Sequence, residues 1–368
     1  MKVLILTCST GEGHNSAARA IAEFLTDSGV ENQICDPLDF KSGKAATRAE
    51  KIYGNTIRYA PKFFGFVYAL GKFYDFLRLP NPVYAANAAC AKSLGEHIKR
   101  GGFTHVICTH LFAMQAMTAV RKKYAAVPCY GVLTDYTAIP FYKDTDLDGY
   151  FVADEHVRDM LIKKRIPKEK IFISGIPVSR KFEKSNMRAA EDKPKRVVIL
   201  SGGAGCGNAV KLCAALRKNL DKDCEILVFP AKNKRLKARL DKKFARAEGI
   251  TAFAFTRNLH EYIKEADVVL TKAGGLSSTE IAAANVPLVH LKSIPGCETA
   301  NRKKFVRCGM SVYAPTVRRA VKATGQLLGD RGLAEAMRKN QRRFINPNAA
   351  EEIVETVLGG EIKERKAI

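Results

Sequence analysis

Lys2-Val-Leu-Ile-Leu-Thr-Cys8, then Gly11-Glu-Gly-His14, then Asn15 through Leu25 is the stretch whose reading decides the fold. The first seven residues form a continuous apolar run of buried-strand length. The glycines read as a turn, and Ala18, Ile21 and Leu25 fall on one face of the helix that follows. This order places backbone N–H groups and a helix N-terminus at the carboxyl end of a parallel strand, where anions and polar ligands bind. His14 adds a side chain that takes up a proton near neutral pH. About 190 residues later the plan recurs, with Val197-Val-Ile-Leu-Ser201, the loop Gly202-Gly-Ala-Gly-Cys-Gly207 and a helix expected from about Asn208. Two such openings in one chain predict two nucleotide-binding-type lobes facing one another.

The 368 residues suffice for two domains that each bury a core. No apolar run approaches the ~20 residues that span a bilayer, and the chain enters its first strand after a single lysine, so a cytoplasmic protein without a leader is expected. The ten cysteines include no C-x-x-C pair and sit in or beside strand-like runs, as Cys8, Cys35, Cys108 and Cys129 do. They read as reduced, buried thiols. His97, His105 and His110 have no carboxylate or thiol partner at ligand spacing, so no metal site is expected. The net charge of +24 calls for a polyanionic surface. With no zinc finger, RNA-binding sheet signature or serial basic-aromatic platform, nucleic acid is not expected and an anionic membrane is.

Strand-like runs alternate with helical periodicity, the pattern of parallel sheets covered on both faces. Strands are expected near 2–8, 32–36, 104–109, 128–134 and 149–153, then near 196–200, 224–229, 250–254, 267–271 and 287–291. The polar stretch 183–195 reads as a linker. It separates an acceptor- or membrane-side domain at 1–182 from a nucleotide-binding domain at 196–344, and the helix within 345–368 is expected to reach back to the first domain. Between Tyr53 and Tyr84 aromatic residues are crowded among lysines and arginines. This composition suits either a membrane interface or a helical insertion packed on the first sheet.

The second half carries the more specific signal. Val268-Val-Leu-Thr-Lys272 reads as a strand, Ala273-Gly274-Gly275 as a turn, and Leu276 onward as a helix with Ser277 and Thr279 in its first turn. The free N–H groups there suit a diphosphate. Glu280 lies about one turn in, where its carboxylate can accept from a ribose diol. Ile294-Pro-Gly-Cys-Glu298-Thr-Ala-Asn301 reads as a polar loop leading into another helix and able to set Glu298 and Asn301 against sugar hydroxyls.

Taken together, Gly11-x-Gly-His14, Thr134-Asp135 and Gly175-Ile-Pro177 resemble the N-terminal domain of the monogalactosyldiacylglycerol synthases and processive diacylglycerol glucosyltransferases. Thr271-Lys-Ala-Gly-Gly, Glu280 and Pro295-Gly-x-Glu298-x-x-Asn301 resemble their C-terminal half. The resemblance runs through nearly the whole chain in order. It implies the α/β GT-B fold, two Rossmann-like doubly wound domains facing a central cleft, with a UDP-sugar on the second and a lipid acceptor such as diacylglycerol. Carried over residue by residue, it implies His14 as catalytic base, Gly203 and Gly205 on the phosphate side, and Phe255 and Thr256 beside the uracil. It also implies Glu280 on the ribose and Glu298 on the sugar. Cys297 stands where such enzymes usually have glutamine, and Tyr136-Thr-Ala-Ile-Pro-Phe-Tyr142 replaces a histidine-bearing stretch.

The expected chemistry is therefore an inverting, metal- and cofactor-independent transfer of glucose or galactose. Lys272, Gly274, Gly275, Ser277 and Thr279 would face the diphosphate, and Asp135 would orient His14 or the acceptor. Peripheral attachment to the inner face of the cell membrane goes with this reading. Three alternatives stay open: a UDP-sugar epimerase or hydrolase on the same fold, a non-catalytic basic lipid-binding relative, and a dinucleotide oxidoreductase using Asp36. The last has Ser16 in place of the third glycine and leaves the second glycine cassette unused.

Overall fold

A computed structural model describes residues 1–8, 12–40, 82–183, 193–201, 208–293 and 295–359. The chain forms two compact units, one from Met1–Ser179 together with the segment beginning at Asn346, the other from Arg180–Ile345. Gly203, Gly205, residues 53–81 of the aromatic segment and most of the stretch 183–195 lie outside the described residues.

Unit 1 holds a six-stranded parallel sheet in the order β2-β1-β3-β4-β5-β6. Its strands are β1 (Lys2–Leu6), β2 (Glu31–Cys35), β3 (His105–Cys108), β4 (Cys129–Val132), β5 (Gly149–Val152) and β6 (Ile171–Ile173). The apolar run of β1 is buried on both faces, which is why it shows no polar alternation. Successive side chains still point to opposite sides. Leu4 and Leu6 join Leu94, Ile98, Met114 and Met117 of helices α3 (Ala91–Gly101) and α4 (Leu111–Lys123), which follow α2 (Pro82–Ala88). Val3 and Ile5 join Ile21 and Leu25 of α1 (Glu12–Asp27) on the other side. Helix α5 (Glu155–Ile162) links β5 to β6.

Unit 2 repeats the scheme with the order β12-β11-β10-β7-β8-β9, all parallel. Its strands are β7 (Arg196–Leu200), β8 (Glu225–Phe229), β9 (Ile250–Ala252), β10 (Val268–Thr271), β11 (Leu288–His290) and β12 (Val312–Tyr313). Between them run α6 (Ala209–Asn219), α7 (Lys234–Phe244), α8 (Leu259–Lys264), α9 (Gly275–Ala283) and α10 (Cys297–Arg307), and α11 (Val317–Gly329) and α12 (Arg331–Phe344) follow. Counted within this unit, the strand order is that of a Rossmann fold.

Three details differ from the sequence expectation. Each sheet gains a sixth strand, β6 and β12, whose three and two residues are too few to show a periodicity. The first helix starts at Glu12, so Gly13 and His14 belong to its first turn instead of to the bend before it. The polar stretch at 295–301 is largely helical, because α10 begins at Cys297 after Gly296, whose φ of +117° few other residues adopt.

The final helix, α13 (Ala349–Val357), packs on α1 within unit 1 and adds Ala350, Ile353, Val354 and Val357 to the face built on Val3 and Ile5. Its entry is fixed by Asn346, whose Nδ2 donates to Ser174 O at 2.7 Å and to Glu352 Oε2 at 2.9 Å. Truncating the fully buried Ile353 to alanine is expected to destabilise unit 1 by about 2–5 kcal/mol. Urea titration of the purified variant measures this, and an unchanged midpoint would show that α13 contributes little to the core.

Candidate active site

In unit 1 the chain turns in opposite directions along the sheet after β1 and after β3. These two neighbouring strands therefore open a crevice at their carboxyl ends, the place where α/β sheets bind ligands. Thr7, at the end of β1, donates from Oγ1 to Asn15 Oδ1 at 3.1 Å and so ties the strand to the start of α1. This fixes the first turn of α1 and with it His14.

The His14 ring is held from two other strand ends. Its Nδ1 lies 3.0 Å from the carbonyl oxygen of Thr109, after β3, and 2.8 Å from Oγ1 of Thr134, after β4. The Thr109 hydroxyl in turn donates to the His14 carbonyl at 3.2 Å. A carbonyl oxygen can only accept, so Nδ1 carries the hydrogen and Nε2 keeps its lone pair. Burial lowers the pKa of His14 below the usual 6.5, while the Asp135 carboxylate and the Thr109 carbonyl act in the opposite direction. The ring is therefore a neutral base held in one tautomer.

His110 stands edge-on to it, with ring centroids 4.5 Å apart. As the N-cap of α4, His110 accepts from Phe112 N through Nδ1 at 3.1 Å, which leaves its hydrogen on Nε2. Burial, and then the nearness of His14, keep His110 well below 6.5 and neutral. Thr109 did not stand out in the sequence, and His110 did so only as a metal-ligand candidate without partners. The only signal for this site was their position at the carboxyl end of a buried strand.

In unit 2 the corresponding crevice lies between β7 and β10, which are joined there by Thr271 Oγ1 donating to Leu200 O at 3.2 Å. Beyond β10, Gly274 is the N-cap of α9 and offers no side-chain cap, so the first N–H groups of the helix are left for an external acceptor. Asn301 is fully buried and donates from Nδ2 to Ala273 O at 3.1 Å, holding the glycine turn from α10. Lys272 forms an ion pair with Glu298 of α10. Thr279 is 1% exposed and its hydroxyl donates to Gly275 O at 2.8 Å. Asn301 and Thr279 thus shape the turn from beneath, whereas Gly274, Ser277, Glu280 and Glu298 are half-buried at its surface.

Phe255 and Thr256 follow β9, three strands along the sheet from β10, which is about 14 Å at the usual strand spacing. Phe255 is 48% exposed under Lys232 Nζ, 5.4 Å from the ring centroid. The Thr256 hydroxyl accepts from Asn258 N at 3.0 Å.

Beneath α9, Ser278 and Ser311 hydroxyls bond the two ring nitrogens of the buried His290, each at 2.9 Å. Burial, then the Arg302 charge, push His290 down to about 3. The unfolded chain binds a proton here below about pH 6.5 and the folded one does not until about pH 3. Stability is thus lost as pH falls through that interval, by roughly 5 kcal/mol for this group. In urea melts across this range, His290→Asn is expected to flatten the acid slope. An unaltered slope would show that other groups control acid unfolding.

A family model described as monogalactosyldiacylglycerol (MGDG) synthase matches residues 14–178, and one described as UDP-N-acetylglucosamine 2-epimerase matches residues 148–358. A processive diacylglycerol beta-glucosyltransferase of Bacillus cytotoxicus is 28% identical, with 97% of this chain and 93% of that protein covered. The one from Bacillus mycoides is 27% identical at the same coverage. Among solved structures, Acinetobacter baumannii MurG aligns with a TM-score of 0.62 at 17% identity, covering 97% of this chain and 99% of its own. S. aureus MnaA, solved with UDP, aligns with a TM-score of 0.67 at 14% identity, covering 100% and 99%. These likenesses show the GT-B fold.

Proposed function

We propose that this chain, which belongs to the monogalactosyldiacylglycerol synthase and processive diacylglycerol glucosyltransferase family and, through residues 148–358, to the wider family of UDP-N-acetylglucosamine 2-epimerases, transfers a hexose from a UDP-sugar to a diacylglycerol-type lipid with inversion at the anomeric carbon. The observation that carries the reading is the tautomer of His14. With Nδ1–H engaged by Thr109 and Thr134, Nε2 is the proton acceptor.

In the proposed step, Nε2 takes the proton of the acceptor hydroxyl as that oxygen attacks C1. The bond from C1 to the β-phosphate oxygen breaks, and UDP departs with the electron pair. The growing charge is met by the N–H groups at the start of α9, with Lys272 adding a positive charge. Preorganised donors of this kind do the work that a divalent cation does in other transferases. Glu280 takes the ribose diol and Glu298 a sugar hydroxyl. Gly203, Gly205, Phe255 and Thr256 belong to the same donor reading by resemblance. Asp135 sustains the imidazolium that forms when His14 is protonated. The net charge and the lipid acceptor together support peripheral attachment to an anionic membrane, and no helix among the described residues is long and apolar enough to cross one.

The epimerase-type match favours a second reading, but it covers the half that holds a UDP-sugar in either reaction. The first unit and both full-length relatives favour transfer. The two separate on one result, because a transferase consumes UDP-sugar only when a lipid acceptor is present.

His14→Ala is expected to retain UDP affinity by calorimetry and lose about 10²–10⁴-fold in kcat. Full activity in that variant would remove His14 from the chemistry. Glu280→Ala should weaken UDP binding, and unchanged affinity would defeat the ribose assignment. Because burial lowers the His14 pKa, kcat/KM should hold down to about pH 6.5 and fall only below it as the base is protonated. A limb above pH 7 would implicate another group.

A further inference from the structure

The charge is divided unevenly between the two units. Arg180–Ile345 contains 35 lysines and arginines against 15 aspartates and glutamates, a net +20 of the chain's +24. The densest part is around α7, where eight basic residues and one acidic residue lie between Lys232 and Arg246. That acid, Asp241, is held by the half-buried Lys237 at 2.7 and 2.8 Å. Lys234, Arg235, Arg239, Lys242, Lys243 and Arg246 are all exposed.

Only part of this arrangement favours the helix itself, namely the Lys237–Asp241 pair and the last-turn Lys242 and Lys243. Arg235 and Arg239, and Arg239 and Lys243, are like-charged i,i+4 pairs, which disfavour the helical form. Lys234 and Arg235 stand in the first turn, at the positive end of the helix dipole. Asn233 caps the start by accepting from Leu236 N at 2.9 Å, and buried Leu240 anchors the inner face. Such a stripe is at its most stable against an external polyanion.

What lies beside the stripe selects the partner. A largely apolar groove of about 360 Å³ opens between α7 and β9, the edge strand of the sheet, lined by Leu240, Phe244, Ala245, Ile250 and Ala252, with Asp241 and Thr251 as its polar members. Charged heads flanking an apolar groove match the interface of a bilayer, where phosphates lie directly above hydrocarbon. A nucleic acid would use the charge but not the groove.

We propose that the outer face of α7 docks the protein on an anionic lipid bilayer. The proposal rests on the lipid-acceptor reading for its biological sense. It assigns the electrostatic contact to the sugar-nucleotide unit and not to the Tyr53–Tyr84 segment that the composition had singled out. Each lysine or arginine near an anionic leaflet contributes about 1 kcal/mol, so neutralising three weakens partitioning by about 100-fold.

The test is co-sedimentation with vesicles of phosphatidylcholine alone and of phosphatidylcholine with phosphatidylglycerol at 7:3, at low and high salt. The full chain is compared with R235Q/R239Q/K243Q and with K163Q/K168Q/R318Q, which removes equal charge elsewhere. Binding to the mixed vesicles only, screened by salt and lost about 100-fold in the α7 variant but less than threefold in the control, is the expected result. Unchanged binding in the α7 variant, or equal loss in both, would overturn the proposal. So would single-stranded RNA displacing the protein from vesicles through the same three residues. Transfer to detergent-solubilised diacylglycerol, expected to be retained by the α7 variant, reports on folding. If no lipid accepts sugar from any form yet α7-dependent vesicle binding persists, the transferase reading fails and the docking surface stands.

Discussion

The carbonyl oxygen of Thr109 has no hydrogen to give, and the chemistry of the first unit follows from that. Whatever faces it must donate, so the His14 ring carries its hydrogen on Nδ1 and presents Nε2 as a base. The constraint is strong because three strand ends impose it together. β1 leads into the helix that bears His14, β3 delivers Thr109, and β4 delivers Thr134. The crevice arises because the chain reverses direction between β1 and β3, and the register that pairs Leu6 with Cys108 brings His14 and Thr109 to one level.

The second unit solves a different problem with the same architecture. It leaves a helix start open, since Gly274 has no side chain to cap α9. An uncapped, half-exposed start is costly unless something stabilises the turn, and here the support comes from below. Asn301 bonds the Ala273 carbonyl, Thr279 bonds back to Gly275, and Ser278 is tied to His290, which is tied to Ser311. The polar groups are satisfied internally, so the turn holds its shape while its N–H groups stay available for an external acceptor. Burial and the Arg302 charge keep His290 neutral, which couples the α9 platform to pH.

The electrostatics are divided along the same line. Unit 1 is nearly balanced and uses single charges locally, as Asp135 does beside His14. Unit 2 carries most of the excess, and on α7 part of it opposes the helix, through Lys234 and Arg235 in the first turn and the like-charged i,i+4 pairs that Arg239 makes. Self-repulsion of this kind is tolerated in a folded domain because Leu240 and its neighbours hold the helix in place from the other side.

The sequence by itself determined the two strand-turn-helix cassettes, the parallel alternation and the family, because buried parallel strands and glycine turns leave local signatures within a few residues. It also pointed to His14, Asp135, Lys272, Glu280 and Glu298, each of which stands beside such a signature. Tertiary structure alone decided what those residues meet. Thr109 is 95 positions from His14 and Thr134 is 120, so no local pattern could reveal the ring's tautomer. The same holds for Asn301 and Thr279, whose polar side chains looked ready for ligand until burial and the Ala273 and Gly275 carbonyls claimed them. It holds too for His290, which became visible only when β11 and α9 enclosed it. Local chemistry is written in neighbouring residues, whereas the partner of a buried polar group is chosen by strand order and packing.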